Sequence, residues 1–370
     1  MKVKNITEKI EEIVPLGFAL DWDNVGLLIG DANQNVKNIL LTIDITKEVL
    51  AEAKKLKTDL IISYHPVIWD GLKKINSQGP SSVVYELIRS GISVFSIHTA
   101  MDIAIGGVND GLAEIVGIVD GQPIGDYIQS PTGDNYKLVT FVPVDSLAKV
   151  TNAIFKAGAG AIGNYSNCGF QAQGTGSFLP LAGANPAIGK KGKLEKVTEM
   201  RFETIVPADK LTRVISAIKA AHPYETPAFD CVKLYNEHNR FGLGRIGKLQ
   251  KPAKLSKIIE SIKKHTGAKA FGIVGNKKKL IKTAAVCAGS CGKIINSVIA
   301  AGCDLYLTGE LKHHQALAAQ EAELTCICLS HTVSERFILK KLARQLRKEI
   351  RPVTIEISKK DADPFEWKQL

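Results

Sequence analysis

Three short stretches near the C-terminal end decide the fold: KTAAVCAG (282–289), DLYLTGE (304–310) and CICLSHTVSE (326–335). Each carries an apolar run of strand length, and the segments between them, around 293–301 and 312–321, have helical spacing. The same order occurs near the start of the chain. NILLTIDI (38–45) is followed by a helix around 47–57, then DLIISYHP (59–66), a helix around 81–90 and VFSIHTAMD (94–102). In both places the closing strand runs into His-Thr-x-x-acid. His98-Thr99 with Asp102 matches His331-Thr332 with Glu335. Strands alternating with helices imply a mainly parallel sheet covered on both faces. The simplest architecture is an α/β core made of residues 1–125 plus 240–370, with a second domain inserted in a loop.

A second repeat describes that insert. VPVDSLAKVTNAIFKA (142–157) matches VPADKLTRVISAIKAA (206–221) at a constant offset of 64, with eight identities in sixteen positions. An extended run precedes each copy, YKLVTF (136–141) and MRFETI (200–205). Each copy then has an aspartate, Asp145 or Asp209, at an expected helix N-cap, with apolar residues at helical spacing beyond it. TPAFDCVKLY (226–235) reads as a further strand. Two such β-α-β units predict a ferredoxin-like α+β domain over about residues 130–238. The Gly-rich stretch between them, 158–178 and 183–193, reads as a hairpin and a mobile loop. It contains no GxxxxGK[ST], so no phosphate-cradling P-loop is expected.

Composition narrows the function classes. The chain has 370 residues, 45% hydrophobic and 23% charged, which suits a globular protein of two or three domains. Lys+Arg 48 against Asp+Glu 37 leaves +11, a balance that favours anionic partners. The excess is uneven: residues 1–126 carry a net −6, 127–245 a net +5 and 246–370 a net +12. Much of it lies in 248–282, with eleven lysines against Glu260 alone, and in RFILKKLARQLRKEIR (336–351). The latter reads as an amphipathic helix with a solvated basic face, its N-terminal end beside Glu335, where amides and cations favour an anionic substrate. Aromatic residues are only 6%, and there is no stacking platform or recognition motif, so nucleic-acid binding is not expected. No run approaches the roughly 18 apolar residues of a membrane span. The start, MKVKNITEKIEEIV, has no apolar signal region. Seven cysteines without CxxC spacing read as reduced thiols of a cytoplasmic protein.

In a parallel sheet, ligands bind beyond the carboxyl ends of the strands. Three histidines fall at such ends: His65 after DLIISY, His98 after VFSI and His331 after CICLS. Asp102 and Glu335 each follow a histidine by four residues, within a helical turn. Imidazole with carboxylate suits zinc, iron or manganese, as one ion or as two bridged by a carboxylate. His313 and His314 read as solvent-facing or outer-sphere, His222 in HPYETP as structural, and His238 and His265 have no partner in the sequence. WDNVGLLIG (22–30) reads as a turn packed on the sheet or as a lip of the site, with packing favoured. GxSxG, HExxH and GxGxxG are all absent.

At these residues the chain resembles the GTP cyclohydrolase 1 type 2 homolog family, the Nif-three-like proteins. WDNVGLLIG, DLIISYHPVIW (59–69), HTAMDIAIGGVNDGLAE (98–114), AVCAGS (285–290) with DLYLTGELKHHQAL (304–317), and SHTVSE (330–335) carry the resemblance. HPYETPAFDCVKL (222–234) resembles the PII/CutA-like domain of the longer members. The resemblance implies a duplicated three-layer α/β core, a divalent-metal site with two ions, and a toroidal homohexamer. It also implies His65, Asp102, His331 and Glu335 as metal ligands and His98 as a nearby residue for acid/base work. One departure stands out: many members have His-His-Pro where this chain has Tyr64-His65-Pro66. A tyrosine hydroxyl, pKa about 10, is a poor ligand unless a strong Lewis acid ionises it, which puts the second ion in question. The implied activity is metal-dependent hydrolysis of a nucleotide-like or other phosphorylated small molecule. The competing expectation is a metal-binding regulatory scaffold whose insert binds a small ligand or partner.

Overall fold

Fifteen strands occur in chain order: β1 (Gly26–Ile29), β2 (Asn38–Thr42), β3 (Leu60–Ser63), β4 (Ser93–Ser96), β5 (Ile118–Ile128), β6 (Asn135–Pro143), β7 (Gly169–Phe178), β8 (Glu195–Pro207), β9 (Phe229–Lys233), β10 (Phe241–Lys254), β11 (Gly272–Val274), β12 (Leu280–Cys287), β13 (Leu305–Thr308), β14 (Thr325–Cys328) and β15 (Thr354–Ile357). They come from a computed structural model that describes residues 1–128, 135–163, 165–234 and 241–367. Contacts divide the chain into two compact units, Met1–Ile128 with Arg240–Leu370, and Gln129–Asn239. The result is a mixed α/β protein with several sheets.

The larger unit holds two sheets, in the orders β1-β4-β3-β2-β15 and β11-β14-β13-β12-β10-β5. In the first, β2, β3 and β4 run parallel in sequence order, Thr42 beside Ser63 and Ser63 beside Ser96. In the second, β12, β13 and β14 do the same, Cys287 beside Thr308 and Thr308 beside Cys328. Among these strands β3, β4 and β13 are buried at every residue, as parallel strands under helices must be. Helices Lys47–Lys55 and Ser82–Arg89 make the crossovers of the first run, Ile295–Ala300 and His313–Glu321 those of the second. An aspartate opens the middle strand of each run. Asp59 accepts the amides of Lys37 and Asn38 at 2.7 and 2.9 Å, and Asp304 those of Lys282 and Thr283 at 2.8 and 3.1 Å. Each one satisfies two successive backbone amides at or beside the neighbouring strand, the entry to β2 for Asp59 and the middle of β12 for Asp304.

The smaller unit has the element order strand, helix, strand, strand, helix, strand. Its sheet runs β7-β8-β6-β9 with every pair antiparallel. Helices Leu147–Lys156 and Leu211–Ala221 are the two sequence-repeat copies. They bury Val150, Ile154, Val214 and Ile218 against Leu138, Phe202 and Val206 of the sheet. Asp145 and Asp209 are not the N-caps that the sequence predicts. Both fall inside 3₁₀ turns ahead of the helices, capped by Ser146 and Lys210 without a side-chain bond. Much of the Gly-rich stretch is likewise regular structure: its second half, from Gly169, is the ten-residue strand β7.

Among the described residues no helix is long and apolar enough to cross a membrane. The seven cysteines form no disulfide.

Candidate metal centre

Parallel strands present all their carboxyl ends at one edge, and in the larger unit both runs do so. Two residues beyond β2, β3 and β4 stand Asp44, His65 and His98. Two residues beyond β12 and β13 stand Gly289 and Glu310, and three beyond β14 stands His331. The extra residue, Ser330, has φ 78° and ψ 156°, a conformation that side chains disfavour. Ser330 is held there by its amide on the Gly309 carbonyl at 3.1 Å and its hydroxyl on Asp363 at 2.6 Å.

The structure brings His65, His331 and Glu335 together, with one ligand atom of each lying within 4.8 Å of the others. His65 Nε2 is 3.5 Å from Glu335 Oε2, and His331 Nε2 is 3.3 Å from Glu335 Oε1. Three carboxylates that the sequence analysis did not single out orient the imidazoles. Asp44 Oδ1 lies 2.9 Å from His65 Nδ1, Glu310 Oε1 lies 3.4 Å from His331 Nδ1, and Asp23 Oδ1 lies 2.8 Å from His98 Nδ1. A carboxylate acceptor holds the proton on Nδ1 and leaves the Nε2 lone pair for a metal or a proton. Asp23 also accepts the Thr99 amide at 2.9 Å and its hydroxyl at 2.5 Å. WDNVGLLIG is therefore part of the site as well as a packed turn. Glu310 and Asp44 were within reach of the sequence. Glu310 occupies the position of His65 in the second run, six residues after its leading aspartate. Asp44 is the one carboxylate in NILLTIDI.

Asp102 is placed beside this group rather than in it. Its Oδ1 accepts the Tyr64 hydroxyl, and Asn109 Nδ2 donates to its carbonyl at 3.1 Å. Tyr64 is fully buried, and burial together with the Asp102 charge pushes its hydroxyl well above the ordinary range. His98 stands 5.0 Å from His65 between ring centroids. Trp69 flanks both, at 5.8 Å from His65 and 5.2 Å from His98, and Trp22 lies 5.9 Å from His98. These two tryptophans are 53% and 64% exposed, unusual for rings of that size.

The charge balance fits a cation. Glu335 is 2% exposed, and its Oε2 has no hydrogen-bond partner among the described residues. Burial, then the charges of Asp102 and Asp44, drive its carboxyl well above the usual range. Burial likewise lifts Asp102 to about 6. His331 is lowered, by burial first and then by His65. Among the described residues no lysine or arginine pairs with Glu335, Asp102 or Asp44. Gly289 completes the cradle: its φ is +67°, and a Cβ there would lie 2.7 Å from Glu335 Oε1 and 3.4 Å from His331 Nε2.

The remaining expectations divide. His313 and His314 are exposed, with rings 5.4 Å apart and turned away into solvent. His222 is structural, its Nε2 on the Phe141 carbonyl at 2.9 Å. His265 Nδ1 meets the Ser261 carbonyl at 2.8 Å, and His238 lies outside the described residues. The basic segment after Glu335 starts differently from expectation. Helices His331–Arg336 and Ile338–Glu349 are separated by Phe337. Arg336 pairs with Asp361 at 2.9 Å, and its charge still acts on Asp44, where it helps to hold the carboxyl below its usual value.

The sequence profile of the Duf34/NIF3 (NGG1p interacting factor 3) family matches residues 1–364. A Halalkalibacterium halodurans protein named GTP cyclohydrolase 1 type 2 homolog is 34% identical over 372 residues, 99% of each chain. A Bacillus subtilis protein of the same name is 34% identical over 366 residues, covering 98% of this chain and 97% of that one. A Bacillus cereus structure described as a protein related to NIF3 superposes with a TM-score of 0.86 at 34% identity, covering 100% and 99% of the two chains. With the profile spanning nearly the whole chain and relatives of a third identity matched end to end, this chain belongs to the Duf34/NIF3 family.

Proposed function

We propose that this protein is a metal-dependent hydrolase acting on a nucleotide-like or other phosphorylated small molecule. One observation carries the reading: a buried glutamate with a bare oxygen stands between two imidazoles whose far nitrogens are held by carboxylates. His65, His331 and Glu335 would hold a divalent ion of the zinc, iron or manganese kind, with Asp102 as the nearest further carboxylate for a second. Such an ion supplies Lewis-acid activation of water at neutral pH. His98, fixed through Nδ1 by Asp23, keeps Nε2 free to take and return a proton. Burial alone would raise Asp23, but its bonds to His98 and Thr99 leave it lowered, so it stays ionised and able to stabilise a charged His98. Trp69 stands against His65 and His98, and Trp22 against His98, as exposed rings that a substrate would cover. The purine-nucleotide reading comes from the name the relatives carry.

The same proposal reads the two parallel runs as a duplication and the smaller unit as a ferredoxin-like, PII/CutA-like insert. The sequence resemblance adds a cytoplasmic homohexamer, which light scattering tests. The test of function is elemental analysis of native protein coupled to a hydrolysis screen of GTP and related nucleotides. We expect turnover that needs the metal and is lost in His331→Ala while the oligomer persists. Less than one ion per chain, unchanged in His65→Ala and Glu335→Ala, overturns the site. A second reading, a metal-bearing scaffold that binds a ligand through its insert, is favoured by a cavity of about 590 Å³ in the smaller unit.

A further inference from the structure

That cavity lies wholly within the smaller unit, on residues between Phe141 and Ala228. Its volume, about 590 Å³, falls in the range of small-molecule sites. The Gly-rich strand β7 makes room for it. Gly174 faces open space, with nothing within 4 Å of where its Cβ would be. Gly176 admits the Glu199 carboxylate so closely that a Cβ would lie 2.1 Å from Oε2. Phe141, Phe178, Leu179, Pro186 and Ile188 supply apolar walls. Leu179 and Ile188 remain 48% and 38% exposed, apolar surface that an occupant would cover.

Glu199 is the buried carboxylate of this cavity. It is 8% exposed, and Tyr224 donates its hydroxyl to Oε1 at 2.9 Å. Among the described residues no cation pairs with it. The cavity's arginine, Arg201, gives its Nε to Glu203 at 2.6 Å, and Lys137 meets the other oxygen of Glu203 at 2.6 Å. A carboxylate accepts up to about four hydrogen bonds, and one buried beside apolar walls is costly unless paired.

The surrounding motif holds Glu199 in place. His222 Nε2 bonds the Phe141 carbonyl at 2.9 Å and its Nδ1 accepts the Tyr224 amide at 3.1 Å, which fixes the tyrosine. Asn185 donates its amide to Glu225 at 3.0 Å, tying the segment after β7 to the HPYETP turn. The site is therefore preorganised, with an acceptor at one end and an apolar body-sized space beside it.

We propose that this cavity binds a small amphiphilic cation, an ammonium or amidinium head on an apolar ring-sized body, with the head on Glu199. The head donates two N–H bonds to the carboxylate, as charge-assisted pairs do, and the body covers Phe178, Leu179 and Ile188. The inference is independent of the metal centre, since it uses no residue of the larger unit.

Benzamidine, its neutral analogue benzamide and the anion benzoate, titrated into the full chain by ligand-observed NMR, separate the head from the body. Benzamidine is expected to bind at least about tenfold more tightly than either control. Glu199→Gln should abolish that preference, and Gly174→Leu, which puts an apolar side chain where a Cβ meets nothing within 4 Å, should block all three probes. Tyr224→Phe reports whether the carboxylate needs its holder and should weaken benzamidine alone. Equal binding of the three probes, a preference that survives Glu199→Gln, or no binding at about 1 mM overturns the proposal. Circular dichroism of the Gly174→Leu and Tyr224→Phe proteins separates a lost site from a lost fold, and binding unaltered in both folded variants also overturns it.

Discussion

At the scale of single residues, Gly289 and Tyr64 do the most to shape the metal centre, and neither has a group that binds the ion directly. Gly289 provides a left-handed turn and an empty Cβ position against Glu335 and His331. Gly289→Ala is expected to weaken divalent-metal binding by at least about tenfold, the scale of supporting-shell defects. Gly302→Ala is its control. Gly302 has φ +66° with nothing within 4 Å, so it carries the same backbone cost, about 1 kcal/mol, without touching the site. Metal titration of both variants decides the matter, and equal loss in the two would mean that backbone strain, not the cradle, is responsible. Tyr64 spends its hydroxyl on Asp102, so that carboxylate is shared before any ion arrives. Tyr64→His is expected to raise the number of divalent ions bound per chain, read by elemental analysis. An unchanged count shows that the tyrosine is not what limits the second position.

At the scale of elements, the duplicated order of strands and helices was legible because parallel strands buried on both faces read as apolar runs with clear punctuation. The site was legible only in part. His65 and His331 stand out as a rare residue type just past strand ends, Glu335 as a carboxylate one helical turn on from His331, and the structure brings the three together. Asp23 did not stand out, because a carboxylate in a polar turn has no local signature and gains its role only when a distant imidazole arrives. Gly289 was invisible for the same reason, since its role is space. In the smaller unit the helix repeat revealed the topology, but the Gly-rich strand read as loop because glycine carries no period. The HPYETP element allows a pH test. Burial, opposed by the Phe141 carbonyl and the Glu199 charge, lowers the His222 pKa, so the folded unit favours the neutral ring. Its stabilising contribution is full above about pH 6.5 and is lost as the pH falls through the depressed folded value. Hydrogen exchange around Tyr224, whose amide His222 accepts only when neutral, should quicken below pH 6.5 and lose that dependence in His222→Gln. An identical pH profile in the variant would assign the effect elsewhere.

For the whole molecule, the two units have separate hydrophobic cores, and the carboxylates of the metal centre belong to one of them. The net charge of +11 does not measure what this centre experiences. Within it, Asp23, Asp44, Asp102, Glu310 and Glu335 outnumber any cation that the chain supplies. Without metal, the larger unit therefore folds against the repulsion and desolvation of these groups. A divalent ion held by the folded state alone would relieve both and stabilise by mass action, about 2.7 kcal/mol at a hundredfold excess over its dissociation constant. The strands that deliver the ligands should register this gain: β3 and β14, which lead into His65 and His331, and β2 and β12 beside them. Hydrogen exchange on the full chain, compared with and without chelator, should show slowed exchange in those four strands on metal binding and no change in β6 and β8. Both of those strands bury their apolar residues in the other core. Protection that rises equally in β6 and β8 would mean that the two units open together. Protection that rises nowhere, in a protein shown by elemental analysis to carry the ion, would mean that the ion sits somewhere other than between His65, His331 and Glu335.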